Sequence, residues 1–314
     1  MPSHLCLAHY ELSDEGNQGR IYQLWMHSPN ENRHQLTITL FWLKSVWILS
    51  SLLGRGWQLC RSTRLPPDHI LFRAFEAGAD RLEVCASLAV GGGTTPSQGL
   101  VKAIQSLFPR TPLMVMIRPR VGDFVYSEDD LDVMKFDIRN FKTMGIKGFV
   151  FGVLTEIGDI DVHRTASLVQ EALPLEVTFH RAFDMSNDLE AALLAIQEIK
   201  GITRILTSGG KPKAPDGAST LRNLVKLSKS VIIIPGSGIN NETIDIILPI
   251  LPLNLPREIH MSGGGWSDGR SEVDPKAGMG MGASEEHAAD VWKTYKHSVE
   301  LVRNRIDFLE DNDA

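Results

Sequence analysis

Residues 79–97 read ADRLEVCASLAVGGGTTPS, and this stretch decides the fold. An apolar run at 81–85 contains a glutamate and ends in a cysteine. A glycine loop at 91–93 follows, and then Ser97, which can begin a helix. Strand, loop and helix recur in this order along the rest of the chain, and polar residues of interest cluster at the same end of each strand. The stretch therefore predicts an α/β protein built from repeated strand–helix units.

Seven strand candidates follow one another at intervals of roughly 25–35 residues, the length of a βα unit. They are near-continuous apolar runs, which is typical of parallel strands buried on both faces. The candidates are 81–85, 113–117, 148–151, 175–180, 204–207, 231–234 and 258–261, with a doubtful first strand at 57–60. Eight alternating units predict a (β/α)₈ TIM barrel. An open doubly wound sheet is the alternative, but no Gly-x-Gly-x-x-Gly follows the first strand to support it.

Residues 1–56 do not fit this repeat, and we assign them to an atypical N-terminal extension that precedes a barrel at 57–314. Only 57–60 could supply the first strand, so that strand could be defective, which would leave its neighbours with unpaired edges. The apolar run 36–53 has a length close to the ~20 residues that span a bilayer. Lys44 near its centre is costly in a membrane. We expect no membrane span, and 36–53 is the segment that could contradict this.

The amino-acid composition indicates which binding partners and which cellular compartment to expect. The chain has 32 Lys and Arg against 38 Asp and Glu, a net charge of −6. Nucleic-acid binding is disfavoured, because its electrostatic footprint should be basic. Three cysteines are too few for a disulfide scaffold and indicate a reducing compartment. With no secretory signal visible, we expect a cytoplasmic protein. The outer helices of its barrel could pair in a homo-oligomer.

Seven segments, in the same order, resemble the CutC family of copper homeostasis proteins. They read GADRLEVCASLAVGGGTTPSQG, VMIRPRVGDFVYS, FGVLT, VTFHRAFDM, RILTSGG, IIPGSGIN and EIHMSGGG. The resemblance implies a cytosolic TIM barrel that is linked to copper binding and copper tolerance. It fixes no biochemical activity, so whether the chain is an enzyme stays open. In the family the chain starts directly with the first strand, whereas here residues 1–56 precede it.

A metal site is the first interpretation of the polar residues. Cys85, His180 and His260 fall at strand ends that a barrel would gather at one mouth, with Glu83 nearby. Thiolate and imidazole suit Cu(I) or Zn(II), and Cys60 could add a second thiol. No Cys-x-x-Cys or His-x-x-x-His spacing supports the set, and a buried cysteine is more often a small apolar residue. The residues leave Cu(I) and Zn(II) open, and the resemblance to the CutC family implies copper as the candidate metal.

An anion site is the second interpretation. Loops after strands 7 and 8 commonly bind phosphate in this barrel, and paired arginines can clamp a carboxylate or phosphate. The candidates are Arg118, Arg120, Ser208, Gly209, Gly236, Ser237, Gly238 and Ser262. The alternative is that the glycines only permit tight turns and that the arginines pair with Glu83, Asp123 or Asp184. This interpretation predicts a small anionic ligand.

A proton-transfer site is the third interpretation. Glu83, His180 and Asp184 place carboxylates and an imidazole in the barrel mouth, where they could move a proton at an activated C–H or C–O bond. Two functions follow from the three interpretations. One is a copper homeostasis protein that binds Cu(I) at the C-terminal mouth of the barrel. The other is an enzyme of the same fold that acts on a small anionic or phosphorylated metabolite.

Overall fold

The computed structural model describes residues 35–41, 77–252, 257–270 and 282–312. All of them belong to one unit, Asn32–Ala314. The core of this unit is a parallel sheet of eight short strands. The strands are β1 Gln35–Phe41, β2 Arg81–Cys85, β3 Leu113–Met116, β4 Gly148–Phe151, β5 Glu176–Phe179, β6 Ile202–Thr207, β7 Ile232–Pro235 and β8 Glu258–Met261.

The sheet closes into a barrel. Its strand order is β7-β6-β5-β4-β3-β2-β1-β8, and a parallel bridge between Gly236 and His260 joins the two ends of that order. The predicted (β/α)₈ barrel is therefore confirmed, and the open doubly wound sheet is wrong. Closure matters for function because it gathers the C-terminal ends of all the strands around one mouth.

Helices cover the outside of the barrel. They are α1 Gln98–Leu107, α2 Glu128–Lys142, α3 Val162–Ala172, α4 Leu189–Gln197, α5 Ala218–Leu227, α6 Ile244–Ile247 and α7 Lys296–Asn312. The 3.6-residue period explains their packing: α2 buries Leu131, Met134, Ile138 and Phe141 on one face. Ser127 and Asp130 form a reciprocal capping box that begins this helix. After β8, a separate antiparallel pair follows, β9 Gly264–Ser267 with β10 Val291–Thr294.

The first strand position is filled by β1, which pairs in register with β2 on one side and β8 on the other. We expected residues 35–41 in the extension and 57–60 in the barrel, but 57–60 lie outside the described residues. The sequence QLTITLF alternates apolar residues with threonines, which is the period of a strand. We interpreted these residues as part of a longer apolar run, and so missed the alternation. Because β1 is present, β2 and β8 have no unpaired edge there.

The structure describes only the beginning of the apolar run 36–53. Its first six residues belong to β1, and 42–53 lie outside the described residues. Among the residues that the structure describes, no helix is both long enough and apolar enough to cross a bilayer.

A buried ionic network lies at the N-terminal ends of the strands. Nε of Arg204 donates to both carboxylate oxygens of Glu258 at 2.8 and 2.9 Å. Its Nη1 donates to Glu176 at 2.7 Å. Arg81 contacts the same two carboxylates at 3.3 and 3.4 Å. These groups come from β2, β5, β6 and β8, so they connect strands across the barrel. The network lies in the interior at the N-terminal ends of the strands. In this fold the functional residues lie at the opposite end, where the strands finish.

Candidate functional site

A cavity of about 700 Å³ opens at the C-terminal ends of the strands. Its polar lining includes Glu83, Arg118, His180 and His260, and these side chains come from β2, β8 and the residues that follow β3 and β5. Aromatic rings from the β3 loop and from β9 and β10 complete the wall. This is the position at which barrels of this class bind their ligands.

Arg118 is the most constrained cation of the cavity. Its Nη1 donates to the carbonyl oxygens of Gly91 and Gly93, the second at 2.9 Å, and its Nη2 donates to Gly122 at 2.9 Å. The guanidinium also lies 4.7 Å above the centre of the Phe124 ring. Residues 91–93 all have positive φ, from +79° to +100°, which glycine adopts readily and other residues do not. The glycine loop therefore folds around the arginine.

The charge of Arg118 is buried, since only 4% of the residue is exposed. Its Nε donor has no acceptor among the described residues. A buried cation is costly unless a charge or a hydrogen bond compensates it. The carbonyl oxygens of Gly91, Gly93 and Gly122 accept hydrogen bonds from Nη1 and Nη2 of the guanidinium. They carry no formal charge, so they do not neutralise its positive charge. This arrangement favours an anion in the cavity.

His180 supplies a second unpartnered donor. It follows β5 and is 4% exposed, and its Nδ1 accepts a hydrogen bond from the backbone N–H of Ala182 at 3.3 Å. Burial, and then the charge of Arg118, lower the pKa of His180 to about 3. The ring is therefore neutral, and the Ala182 contact assigns its proton to Nε2. No acceptor for Nε2 exists among the described residues.

The Phe124 ring connects these two donors. Its centroid lies 4.9 Å from that of the His180 ring, in an edge-on arrangement, and its face carries Arg118. Gly152 leaves room for the histidine, because a Cβ there would stand 2.8 Å from Nδ1 of His180. Both donors are thus held in position by packing as well as by hydrogen bonds.

Glu83 and His260 form a carboxylate–imidazole pair. Oε2 of Glu83 lies 3.2 Å from Nε2 of His260, and the two side chains are 4% and 12% exposed. They come from β2 and β8, the two neighbours of β1. The small side chain of Thr37, which is in register with His260, lies between those strands. Such a pair can exchange protons with a ligand in the cavity.

Asp184, a predicted acid–base residue, is already engaged by the protein. Its carboxylate accepts from Thr207 Oγ1, from the backbone N–H and hydroxyl of Ser208, and from Arg181 Nε at 2.8 Å. The N–H of Gly209 in turn donates to Thr207 Oγ1 at 2.9 Å. The predicted anion donors Ser208 and Gly209 therefore serve the chain's own carboxylate or hydroxyl. Asp184 thus organises this loop, and both of its carboxylate oxygens already accept hydrogen bonds from the protein.

Arg120 does not line the cavity. Its Nη1 lies 3.0 Å from Asp123, its Nε lies 3.3 Å from Asp130, and its Nη2 donates to the carbonyl of Val125 at 2.7 Å. Asp130 also caps α2. Arg120 thus holds the start of that helix, in agreement with the alternative that the arginines pair with nearby carboxylates. The predicted two-arginine clamp is not formed.

The loops after β7 and β8 do reach the cavity. Ser237, Gly238 and Ser262 all line it. Ser237 and Gly238 have positive φ, +78° and +68°, which turns the chain sharply after β7. The Ser237 hydroxyl donates to the carbonyl of Pro212 at 2.8 Å. Gly236 differs, because its N–H donates to the carbonyl oxygen of Thr207 at 3.0 Å and its bridge to His260 closes the barrel.

The predicted metal ligands are not assembled as a set. Among the residues that the structure describes, no group of three or more His, Cys, Asp or Glu side chains is placed to hold a metal ion. Burial, and then Glu83, raise the pKa of the Cys85 thiol well above its usual value, whereas metals bind the thiolate. His180 carries its ring proton on Nε2, and its Nδ1 already accepts from the Ala182 N–H, so neither nitrogen offers a free lone pair to a metal. Cys60 lies outside the described residues. As the structure places them, Cys85, His180 and His260 do not form a three-ligand site for Cu(I) or Zn(II).

Two tryptophans of the cavity were missed by the sequence analysis. Trp266 of β9 packs edge-on against Trp292 of β10 at 5.2 Å and stacks on His287 at 4.3 Å. Nε1 of Trp292 is buried without an acceptor among the described residues. We interpreted the segment after β8 as a glycine loop followed by a helix. The signal that could have found this pair is a tryptophan in each of two short segments with strand-like spacing.

A closed eight-stranded barrel with a buried arginine and histidine at its C-terminal mouth defines a (β/α)₈-barrel protein with a cavity of small-molecule size there. The CutC family model matches residues 67–265. The chain therefore belongs to the CutC family.

Individual relatives agree with this assignment. A CutC family protein of Pasteurella multocida is 38% identical over 235 residues, which cover 74% of this chain and 93% of that protein. The copper homeostasis protein cutC homolog of Mus musculus is 41% identical, over 65% of this chain and 75% of the mouse protein. The crystal structure of CutC from Streptococcus agalactiae superimposes with a TM-score of 0.57 at 26% identity. The superimposed region covers 73% of this chain and 98% of the Streptococcus agalactiae chain.

Proposed function

We propose that this CutC-family barrel is an enzyme that acts on a small organic anion bound in the mouth cavity. The observation that carries the proposal is the buried guanidinium of Arg118, which lines the cavity and whose Nε has no acceptor among the described residues. A carboxylate or phosphate group of the ligand would supply both the missing acceptor and the missing negative charge. His180 offers a further donor to the same ligand.

The remaining lining supports a reaction in addition to binding. The Glu83–His260 pair faces the same cavity and can take up or release a proton. The apolar wall of Phe124, Trp266 and Trp292 lowers the local polarity, which strengthens charge interactions with a bound anion. The volume of about 700 Å³ is in the range of small-molecule sites. A cytoplasmic location and a homo-oligomer remain predictions of the same proposal.

Binding of simple anions tests the proposal. The full chain is titrated with inorganic phosphate, pyruvate and malonate while the shift of the melting temperature is followed. Arg118→Gln should abolish the shift that the wild-type protein gives, and Arg120→Gln should keep it. The second variant is a matched control, because Arg120 is two residues away and lies outside the cavity. A folded Arg118→Gln variant that binds as wild type, or a wild-type protein that binds none of the three anions, would exclude the proposal.

Direct copper binding is the second candidate, and the names of the relatives support it. The described chain adds one observation. A Cβ on Gly93 would stand 3.1 Å from Cys85 Sγ and 2.9 Å from Met116 Sδ, so two soft sulfur atoms border the same gap. Anaerobic titration of the full chain with Cu(I), in competition with a chelator, tests this site. Copper that is retained by wild type and lost in Cys85→Ser would support it, and equal retention in both proteins would exclude it.

A further inference from the structure

We infer that the reaction of this cavity is the removal of a proton from a carbon next to a carbonyl group, with His180 Nε2–H holding the carbonyl oxygen. The inference rests on the proposed function and names the chemistry of its substrate. The substrate class is a small molecule that carries a ketone and an anionic group, such as a 2-oxo acid or a hydroxyketone phosphate.

Strand order places the two reacting sides of the cavity opposite each other. Glu83 and His260 belong to β2 and β8 and meet across β1. His180 follows β5, which stands four positions from β1 in either direction around the closed barrel. A substrate in the cavity therefore lies between a proton-transfer pair and a hydrogen-bond donor. This is the arrangement that enolisation needs, since the proton leaves on one side while charge develops on the oxygen at the other.

His180 is suited to hold an oxyanion and unsuited to act as the base. The Ala182 N–H occupies Nδ1, so the lone pair that a base would need is already used. Nε2–H is a buried donor without an acceptor among the described residues. A neutral imidazole can donate to a developing oxyanion without giving up its proton, and its pKa of about 3 keeps it neutral. Arg118, which contacts the same Phe124 ring, adds positive charge on that side.

The step balances without an oxidant or a reductant. The C–H bond next to the carbonyl breaks, and its proton passes to the Glu83–His260 pair. The electron pair of that bond becomes the C=C bond of an enediolate or enolate. The π electrons of the carbonyl move to oxygen, and the oxyanion is held by His180 Nε2–H with the Arg118 charge behind it. Return of a proton to the same carbon or to its neighbour completes an exchange or an isomerisation.

Solvent hydrogen exchange measures this step directly. Pyruvate and dihydroxyacetone phosphate are incubated in D₂O with the full chain, and the loss of their C–H signals is followed by proton NMR. Wild type should exchange at least one substrate faster than buffer does. Glu83→Gln should reduce the rate by about 100-fold or more, because proton transfer by a positioned side chain contributes that much, and should leave the anion-induced melting shift in place. His180→Gln should reduce the rate by a similar factor.

The outcomes separate this inference from the proposed function. Anion binding without exchange of either probe would overturn the inference and leave the binding site standing. Absence of binding would overturn both. Exchange that persists at the wild-type rate in a folded His180→Gln or Glu83→Gln variant would remove the assigned roles. The Arg120→Gln protein should exchange like wild type, because that side chain lies outside the cavity.

Discussion

Glu83 and His260 are separated by 177 residues in the chain and meet at 3.2 Å. The contact forms because β2 and β8 are the two neighbours of β1. The proton-transfer side of the cavity therefore depends on closure of the whole barrel.

Acid should destabilise the protein through His180. Its folded-state pKa is about 3 and its ordinary value is 6.5, so below pH 6.5 the unfolded chain binds a proton here and the folded protein does not. Stability contributed by the neutral ring is present above that value and falls as the pH is lowered towards 3. The loss should be roughly 2 kcal/mol between pH 7 and pH 5. Urea unfolding of wild type and His180→Gln over this range measures it: the difference between the two proteins should shrink at low pH. A constant difference would contradict the assignment.

Gly93→Ala should disturb both stability and anion binding. Gly93 has φ of +100°, and an added Cβ would stand 2.9 Å from Met116 Sδ. We expect a loss of about 2 kcal/mol or more in the free energy of unfolding. Because the Gly93 carbonyl accepts from Arg118, the affinity for phosphate should also fall.

Gly99→Ala is the control for that variant. Gly99 lies in α1, and a Cβ there would meet only Ser97 Oγ at 3.8 Å. This change should be neutral or should stabilise the protein by about 0.5–1 kcal/mol. Equal effects of the two substitutions in urea denaturation would show that the positive φ at Gly93 is not the cause.

Glu258→Gln should strongly destabilise the barrel. It removes the negative charge that Arg81 and Arg204 share in the interior, and Glu258 is 1% exposed. Loss of one partner from a buried ion pair costs about 3–5 kcal/mol. Glu171→Gln breaks the surface pair with Arg139 and should cost much less, because solvent screens that pair. Similar unfolding midpoints for the two variants would contradict a structural role of the network.

The Cys85 thiol should be unreactive in the folded protein. Burial, and then the charge of Glu83, raise its pKa well above the usual value, and attack on a disulfide reagent requires the thiolate. A Cys6→Ser, Cys60→Ser variant leaves Cys85 as the remaining thiol. Its reaction with an aromatic disulfide at pH 8 should be slow in buffer and fast in urea. Fast reaction in buffer would show that the thiol is accessible, and would strengthen the case for copper at this residue.

The extent to which the fold was predictable differs from strand to strand. The bounds 81–85, 148–151 and 258–261 were predicted as the structure has them, because continuous apolar runs between turn signals are a strong local pattern. β1 was missed because its alternating pattern adjoins a further apolar stretch. The local sequence pattern indicates which segments are buried. It does not indicate which of two segments, 35–41 or 57–60, supplies the first strand of the sheet.

The site was predictable to a smaller extent. Strand-end position alone placed Glu83, His180 and His260 at one mouth, since the fold gathers those ends. Strand-end position could not show that the Asp184 carboxylate accepts hydrogen bonds from Ser208 and Thr207. Nor could it show that Arg120 contacts Asp130 at the start of α2. These outcomes depend on partners chosen in three dimensions. A residue type at a strand end states what a side chain can do, and the neighbours decide whether it is available.

The position of β1 between β2 and β8 also has a consequence for how the protein folds. The ribosome synthesises β1 before every other described strand, and it synthesises β8 after the other seven barrel strands. β1 therefore cannot pair with its neighbour β8 until nearly the whole barrel has been made. Such long-range pairing slows folding, because loop closure has to precede the contacts that reward it. Until β8 arrives, one edge of β1 can pair with strands of other molecules. The yield of folded protein during synthesis should therefore vary with temperature and with the supply of chaperones. The free energy of unfolding of the finished protein should vary less with these conditions.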